Sequence, residues 1–181
     1  MKKFFLLLAL AILPLFGFAQ AQQTYFTFKS GSFDLEVNAA GQKMVTHSIF
    51  DDYGALQYAE MSVMGQTVKT VIRDGKTYMV SPQFQEIPAQ QEQVNYLNLT
   101  QEVIDKYDIK MVGIESMQGY DCMVYTLKAE FQGMEAASKA WVWDGFAIRT
   151  ETTVMGMKVI STLKNLKLDI PVDPALFVLP E

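Results

Sequence analysis

The chain has 181 residues, half of them hydrophobic, and its 15 Lys and Arg stand against 20 Asp and Glu for a net charge of −5. Nucleic acid attracts clustered positive charge, so this balance argues against a nucleic-acid partner. One cysteine and one histidine exclude an internal disulfide and the Cys/His clusters of zinc sites.

The first residues read as a secretory signal. Met1-Lys2-Lys3 is basic, Phe4 to Phe18 is apolar apart from Pro14 and Gly17, and small residues follow at Ala19 and Ala21. That is a basic end, an apolar middle and an A-x-A-like cleavage site, with Gln20, Gln22 and Gln23 ending the stretch too early for a spanning helix of roughly 20 apolar residues. The expected division is a signal over residues 1–21 and one domain over 22–181. The signal holds two of the basic residues and none of the acidic ones, so the net charge becomes −7 after cleavage. No cysteine stands at the cleavage site to carry a lipid, and no later stretch is long and apolar enough to span a bilayer. The expected location is therefore the periplasm or the medium, without a membrane span.

Most of the remaining chain alternates apolar and polar residues at a period of two, the pattern of half-buried strands. Strands are expected at Thr24 to Phe28, Ser32 to Val37, Lys43 to Phe50 and Leu56 to Val63, with turns at Ser30-Gly31, Ala40-Gly41 and Asp51 to Gly54. Ser62 to Val71 and Thr153 to Thr162 then spell similar hairpins around Met-Gly turns. Similar physical demands account for the likeness without a repeat. Asp74-Gly75 turns the chain into Lys76 to Val80, and the strand pattern stops at Ser81-Pro82. Pro88 to Gln93 reads as loop. Asn98 to Tyr107 is the one firm helix, with Asn98 or Thr100 as cap and Glu102 at its positive end. Strands resume over Met111 to Ser116, Tyr120 to Ala129, Ala140 to Trp143, Phe146 to Val154 and Met157 to Leu168. A connection centred on Gly133 and a turn at Asp144-Gly145 separate the later ones. Prolines hold Ile170 to Pro180 extended. The fold class is mainly β: ten or eleven antiparallel strands and one or two short helices.

The residues offer little chemistry. Cys122 lacks a neighbouring base; His47 lies in another strand and is the only candidate partner for a thiolate. In a strand, Tyr120, Cys122 and Val124 share one face, and free cysteine behaves as a small hydrophobe. Asp51, Asp52, Asp74, Asp144 and Asp173 all sit at turns. There is no Gly-rich phosphate loop, no G-x-S-x-G and no HExxH, so neither cofactor, metal nor catalytic residue is expected. The unusual feature is apolar content: in Thr77 to Val80 and in Ala140 to Trp143 neither face is polar. Either a helix covers the second face or the sheet curls around a cavity, and the methionines suit either ordinary core filling or a surface for variable apolar partners.

Gly113 to Glu115, Gly119 to Cys122, Tyr125, Trp141 to Gly145 and Phe177 to Pro180, in this order, resemble a secreted bacterial domain family of unknown function. That family is itself similar to the LolA/LolB group and to outer-membrane lipoprotein-sorting proteins. Phe50 to Gly54 and Arg73 to Gly75 fit the same pattern. The resemblance implies a strongly curved, incompletely closed antiparallel β-barrel with a helical lid over an apolar cavity. On that plan Tyr78, Val80, Trp141 and Trp143 line the cavity, and Leu99, Val103, Ile104 and Tyr107 form the lid. The implied function is non-catalytic binding of a lipid or a lipidated protein. The alternative is an envelope module that senses stress or recognises a protein partner through its sheet. Arg73 and Arg149, the only arginines, do not match the arginine associated with cargo handling in the carriers. Mass spectrometry of the exported protein is expected to find Gln20 or Gln22 at the N-terminus; an intact Met1 would defeat the signal reading.

Overall fold

The computed structural model describes residues 24–87, 94–131 and 134–180. The expected signal, the Gln-rich stretch 88–93 and the connection at Gly133 lie outside the described residues. The strands are β1 (Gly31–Ala39), β2 (Gln42–Asp51), β3 (Leu56–Val63), β4 (Gln66–Arg73), β5 (Lys76–Ser81), β6 (Gln85–Ile87), β7 (Lys110–Met117), β8 (Tyr120–Phe131), β9 (Met134–Trp143), β10 (Phe146–Val154) and β11 (Met157–Leu168). They form one open antiparallel sheet in the order β6-β5-β4-β3-β2-β1-β11-β10-β9-β8-β7. Two meanders, β1 to β6 and β7 to β11, are thus joined by the single pairing of β1 with β11. That seam runs from Gly31 opposite Leu168 to Ala39 opposite Val159.

Opposite partners in a ladder share a face, so the register assigns the two faces. One carries Val37, Thr46, Ser48, Ala59, Met61, Thr70 and Ser161, all buried. The other carries ion pairs: Lys43 with Glu36, Lys69 with Glu60, and Lys158 with Glu151. Surface pairs of this kind contribute little stability; burial of the first face decides the shape. The sheet curls around it, and it is the inner face.

One end of the inner face is filled by rings. Phe26 stacks on Phe146 with centroids 4.1 Å apart and planes 2° from parallel, and Phe50 and Phe33 lie against the same ring. The segment that brings Phe26 there was expected as a strand. Its alternation is apparent only, because the adjacent Tyr25 and Phe26 are both buried. It crosses the end of the sheet instead, with Tyr25 N–H and Phe26 N–H both donating to Tyr53 O. Gly31, expected in a turn, opens β1; a Cβ there would sit 2.5 Å from Lys167 O and 2.6 Å from the Phe50 ring.

Three further elements differ from expectation. The strand β6 follows the Ser81-Pro82 break, too short for a periodic pattern to reveal. The helix α1 spans Gln101–Lys106 only, capped by Thr100 rather than Asn98. The C-terminal segment includes a 3-10 turn at Pro174–Phe177, capped by Asp173, and its Phe177 is buried on the outer face against Tyr58 and Val71. Phe146 is 1% exposed, and Phe-to-Ala changes at such sites cost about 3–5 kcal/mol. Phe146→Ala is expected to lower the unfolding free energy in denaturant titrations by that amount, and a loss below about 1 kcal/mol would show that the ring cluster does not hold the end of the sheet.

Candidate functional site

The inner face becomes half-buried away from the rings. Met44, Val68, Val154, Met157 and Val159 line this far end beside Thr150 and Thr152. Hydroxyls are interleaved with the apolar side chains; Ser138 and Thr152 bond each other at 2.8 Å. Ser48, opposite Phe33 and Ala59, is different: among the described residues its hydroxyl is buried with no hydrogen-bond partner. Such a group costs free energy unless something satisfies it.

The chain between β6 and β7 supplies a partial cover. Leu99, Val103, Ile104 and Tyr107, the four residues expected to form a lid, gather in one cluster with Val94, Tyr96 and Ile109 against Tyr125, Leu127, Ala140 and Val142 of β8 and β9. Those sheet residues belong to the inner face: Tyr125 opposes Ala140, which opposes Thr150, which opposes Ser161. Thr100 caps α1 at Val103 N–H, and Glu102 and Lys106 suit the two ends of its dipole. Yet no residue within α1 is fully buried. The helix rests on the sheet half-exposed, and Tyr107 and Ile109 just beyond it are the buried anchors of the cover.

The four residues expected to line a cavity are not brought together. Tyr78 opposes Val71, which places it on the outer face, where it stacks on Phe84 at 5.9 Å. Val80 packs beneath the C-terminal segment. Trp143 joins the ring cluster, 4.6 Å from Tyr120 and 5.7 Å from Phe28. Trp141 is buried, and its indole N–H donates to Glu115 at 2.7 Å under the Lys139 ammonium. The divergence has a local cause: β10 shifts register between Ala147 and Arg149, so Trp143 opposes Phe146 while Trp141 opposes Arg149. A bulge of this kind bends the bulged strand and increases the local twist, so the two tryptophans face different stretches of β10.

The two residues weighed as a catalytic pair stay apart. Five strand positions separate β2 and β8, on the order of 24 Å along the sheet. His47 Nδ1 instead lies 2.8 Å from Asp34 on the outer face, and Asn165 donates to the other oxygen of that carboxylate at 2.6 Å. The Asn165 bond, then the His47 bond, hold the Asp34 carboxyl below its usual range. A recess of about 340 Å³ opens there, lined by Ser32, Asp34, His47, Asn165, Leu166 and Lys167. Sequence reading missed this cluster because Asn165 reaches Asp34 only through the β1–β11 seam. Among the described residues no three His, Cys, Asp or Glu stand close enough to hold a metal.

Solved structures similar to the chain include LprF from Mycobacterium bovis, at 8% identity over 80% of this chain and 89% of that one, TM-score 0.44. A DUF1329 family protein from Desulfovibrio piger shares 14% identity over 85% and 91%, TM-score 0.41. A domain described as an outer membrane lipoprotein-sorting protein from Vibrio parahaemolyticus shares 10% over 82% and 89%, TM-score 0.41. No family model matches the chain, and no curated protein matches it significantly.

Cys122 is 0% exposed, its thiol pushed up first by burial and then by Asp121. The thiolate is the reactive form, so native protein is expected to label slowly with thiol reagents and unfolded protein readily. Fast native labelling would overturn the structural reading of this residue.

Proposed function

We propose that the chain is a non-catalytic envelope protein that holds an apolar ligand, a lipid or the acyl part of a lipidated protein, against the inner face beneath the Val94–Ile109 cover. One observation carries this reading. The inner face stays uncharged and largely apolar over β1 to β4 and β8 to β11, whereas its cover holds one helix of six residues, none of them buried, and is pinned to the sheet by Tyr107 and Ile109 beyond the helix. A closed core would fill that side with long packed elements. A carrier needs a cover that lifts, because burying an acyl chain gains about 0.8 kcal/mol per CH₂ and the ligand must still leave. Mass spectrometry of the protein purified from native extracts is expected to find a bound lipid; a protein free of lipid under mild isolation would count against the reading.

The cover is testable separately. Val103→Asp with Ile104→Asp puts two charges at its seam with the sheet. Circular dichroism is expected to show the strands intact while binding of a naphthalene sulfonate dye or self-association rises, since large apolar patches rarely persist on monomers. Global unfolding would show that the helix is part of a fully packed core.

A second reading, recognition of a protein through the sheet, is favoured by β7. This edge strand exposes Met111, Val112 and Ile114, with Met123 of β8 beside them, and an exposed edge is a template for strand addition. A ligand-free protein that captures an extended peptide on β7 would replace the first reading.

A further inference from the structure

At its aromatic end the sheet forks. The pairing of β10 with β11 runs from Val154 opposite Met157 to Arg149 opposite Thr162 and stops there. Beyond that point Phe146 and Ala147 of β10 pair only with β9, and Leu163, Lys164, Lys167 and Leu168 of β11 pair only with β1. The first residues past the fork are Ile148 and Leu163, and both of their carbonyls accept from one side chain.

That side chain is Gln118, at the tip between β7 and β8. Its Nε2 donates to Leu163 O at 3.0 Å and to Ile148 O at 3.5 Å, and its Oε1 accepts from Lys164 Nζ at 2.9 Å. In the sheet order β8 lies three positions from β11, on the order of 14 Å in a flat sheet. The tip therefore curls back over the fork instead of carrying the sheet outward. The packing agrees: Cys122 and Val124 of β8 share a cluster with Leu35 of β1 and Leu163 of β11.

The turn shows that residue 118 answers to something other than its own backbone. Gln118-Gly119 has φ of 54° and 86°, the type I′ form of six hairpin turns in the described residues. The first position of that turn favours Asn, Asp or Gly, because other side chains crowd the backbone there. Asp74 and Asp144 fill it at the other two tips of this end. Gln is not a favoured residue, yet it is one methylene longer than Asn and brings an amide to both branches. Among the described residues, no other side chain at the first position of these turns bonds the backbone of another strand.

We infer that Gln118 is a clasp and the fork a hinge: when the amide releases Leu163 and Ile148, the β7–β9 layer swings away from β1 and β11 about the remaining β10–β11 pairs. The cover rides on that layer, because its sheet partners Tyr125, Leu127, Ala140 and Val142 all belong to β8 and β9. As a route to the inner face the motion rests on the proposed ligand-holding role; as a motion of the fold it does not. The apolar contacts of Cys122 and Val124 hold the layer down, and the directional amide bonds fix where it closes.

Cys122 is the probe. It is the single cysteine of the chain, 0% exposed where the layer meets β1 and β11, so its labelling by an aromatic disulfide reagent reports opening of that contact. When reclosing is fast, the rate tracks the population of the open form, and an opening smaller than global unfolding depends weakly on denaturant. Gln118→Asn gives the turn a favoured residue but an amide too short to reach the fork. Gln118→Glu keeps the acceptor for Lys164 and loses the donor. Both are expected to label at least about fivefold faster than wild type in native buffer, the effect of losing one or two hydrogen bonds. Their denaturant dependence is expected to stay well below that of unfolding. Lys164→Ala leaves both Nε2 bonds in place and is expected to label more slowly than either Gln118 variant. Unchanged or slower labelling in either Gln118 variant, labelling that follows global unfolding in both, or a Lys164→Ala rate equal to theirs would each overturn the clasp. The measurement uses protein without added ligand, so its failure is separate from a failure to find a bound lipid.

Discussion

The pairing of β1 with β11 is the constraint on which the rest depends. Each meander is built from neighbouring hairpins and needs only local turns, but neither alone encloses an inner face. The seam joins residues as distant as Gly31 and Leu168. Contacts of such separation carry a loop-closure cost and slow folding. The ring cluster offsets it where the seam begins: Phe33 of β1, Phe50 of β2 and Phe146 of β10 meet there around Phe26. The aromatic end and the seam are one cooperative unit, and the far end is left comparatively unfilled.

The local code was legible. X-Gly pairs marked the I′ turns, period-two alternation marked most strands, and Thr100 with Val103, Ile104 and Tyr107 marked the cover. What a pattern of period two cannot give is the identity of a face. It says that Tyr78 and Val80 point the same way, and likewise Trp141 and Trp143, but not which side of a curled sheet that is. Tyr78 and Val80 lie outside, and the β10 bulge separates the environments of the two tryptophans. The segment Thr24 to Phe28 misled for a related reason: aromatic residues favoured in strands serve equally as anchors for a chain crossing the end of a sheet. The seam itself left no mark in the sequence, and the Asp34–His47–Asn165 cluster, which depends on it, was invisible for that reason.

The chemistry of the chain is consistent with these physical roles. Many of its described titratable groups stand at turns or in ion pairs of the outer face, and its one thiol is buried in the same cluster as Val124 and the aromatic rings. The inner face, by contrast, holds no charged residue on β1 to β4 and mixes hydroxyls with methyl and thioether groups. Polarity at the level of single hydroxyls makes that surface tolerant of water as well as of apolar matter, unlike a core built from Leu and Ile alone.

The open sheet leaves two edges, and they are blunted differently. On one side β6 is three residues long, with Gln85 and Glu86 exposed. On the other, β7 breaks register between Met111 and Gly113, and Gly113 takes a φ of 155° that most side chains avoid. That irregularity bends the most apolar edge of the molecule out of the plane in which a second identical edge would align with it. A Cβ at position 113 would meet nothing within 4 Å, so a substitution there would act on this edge through backbone shape alone, the kind of irregularity by which sheets blunt their edges.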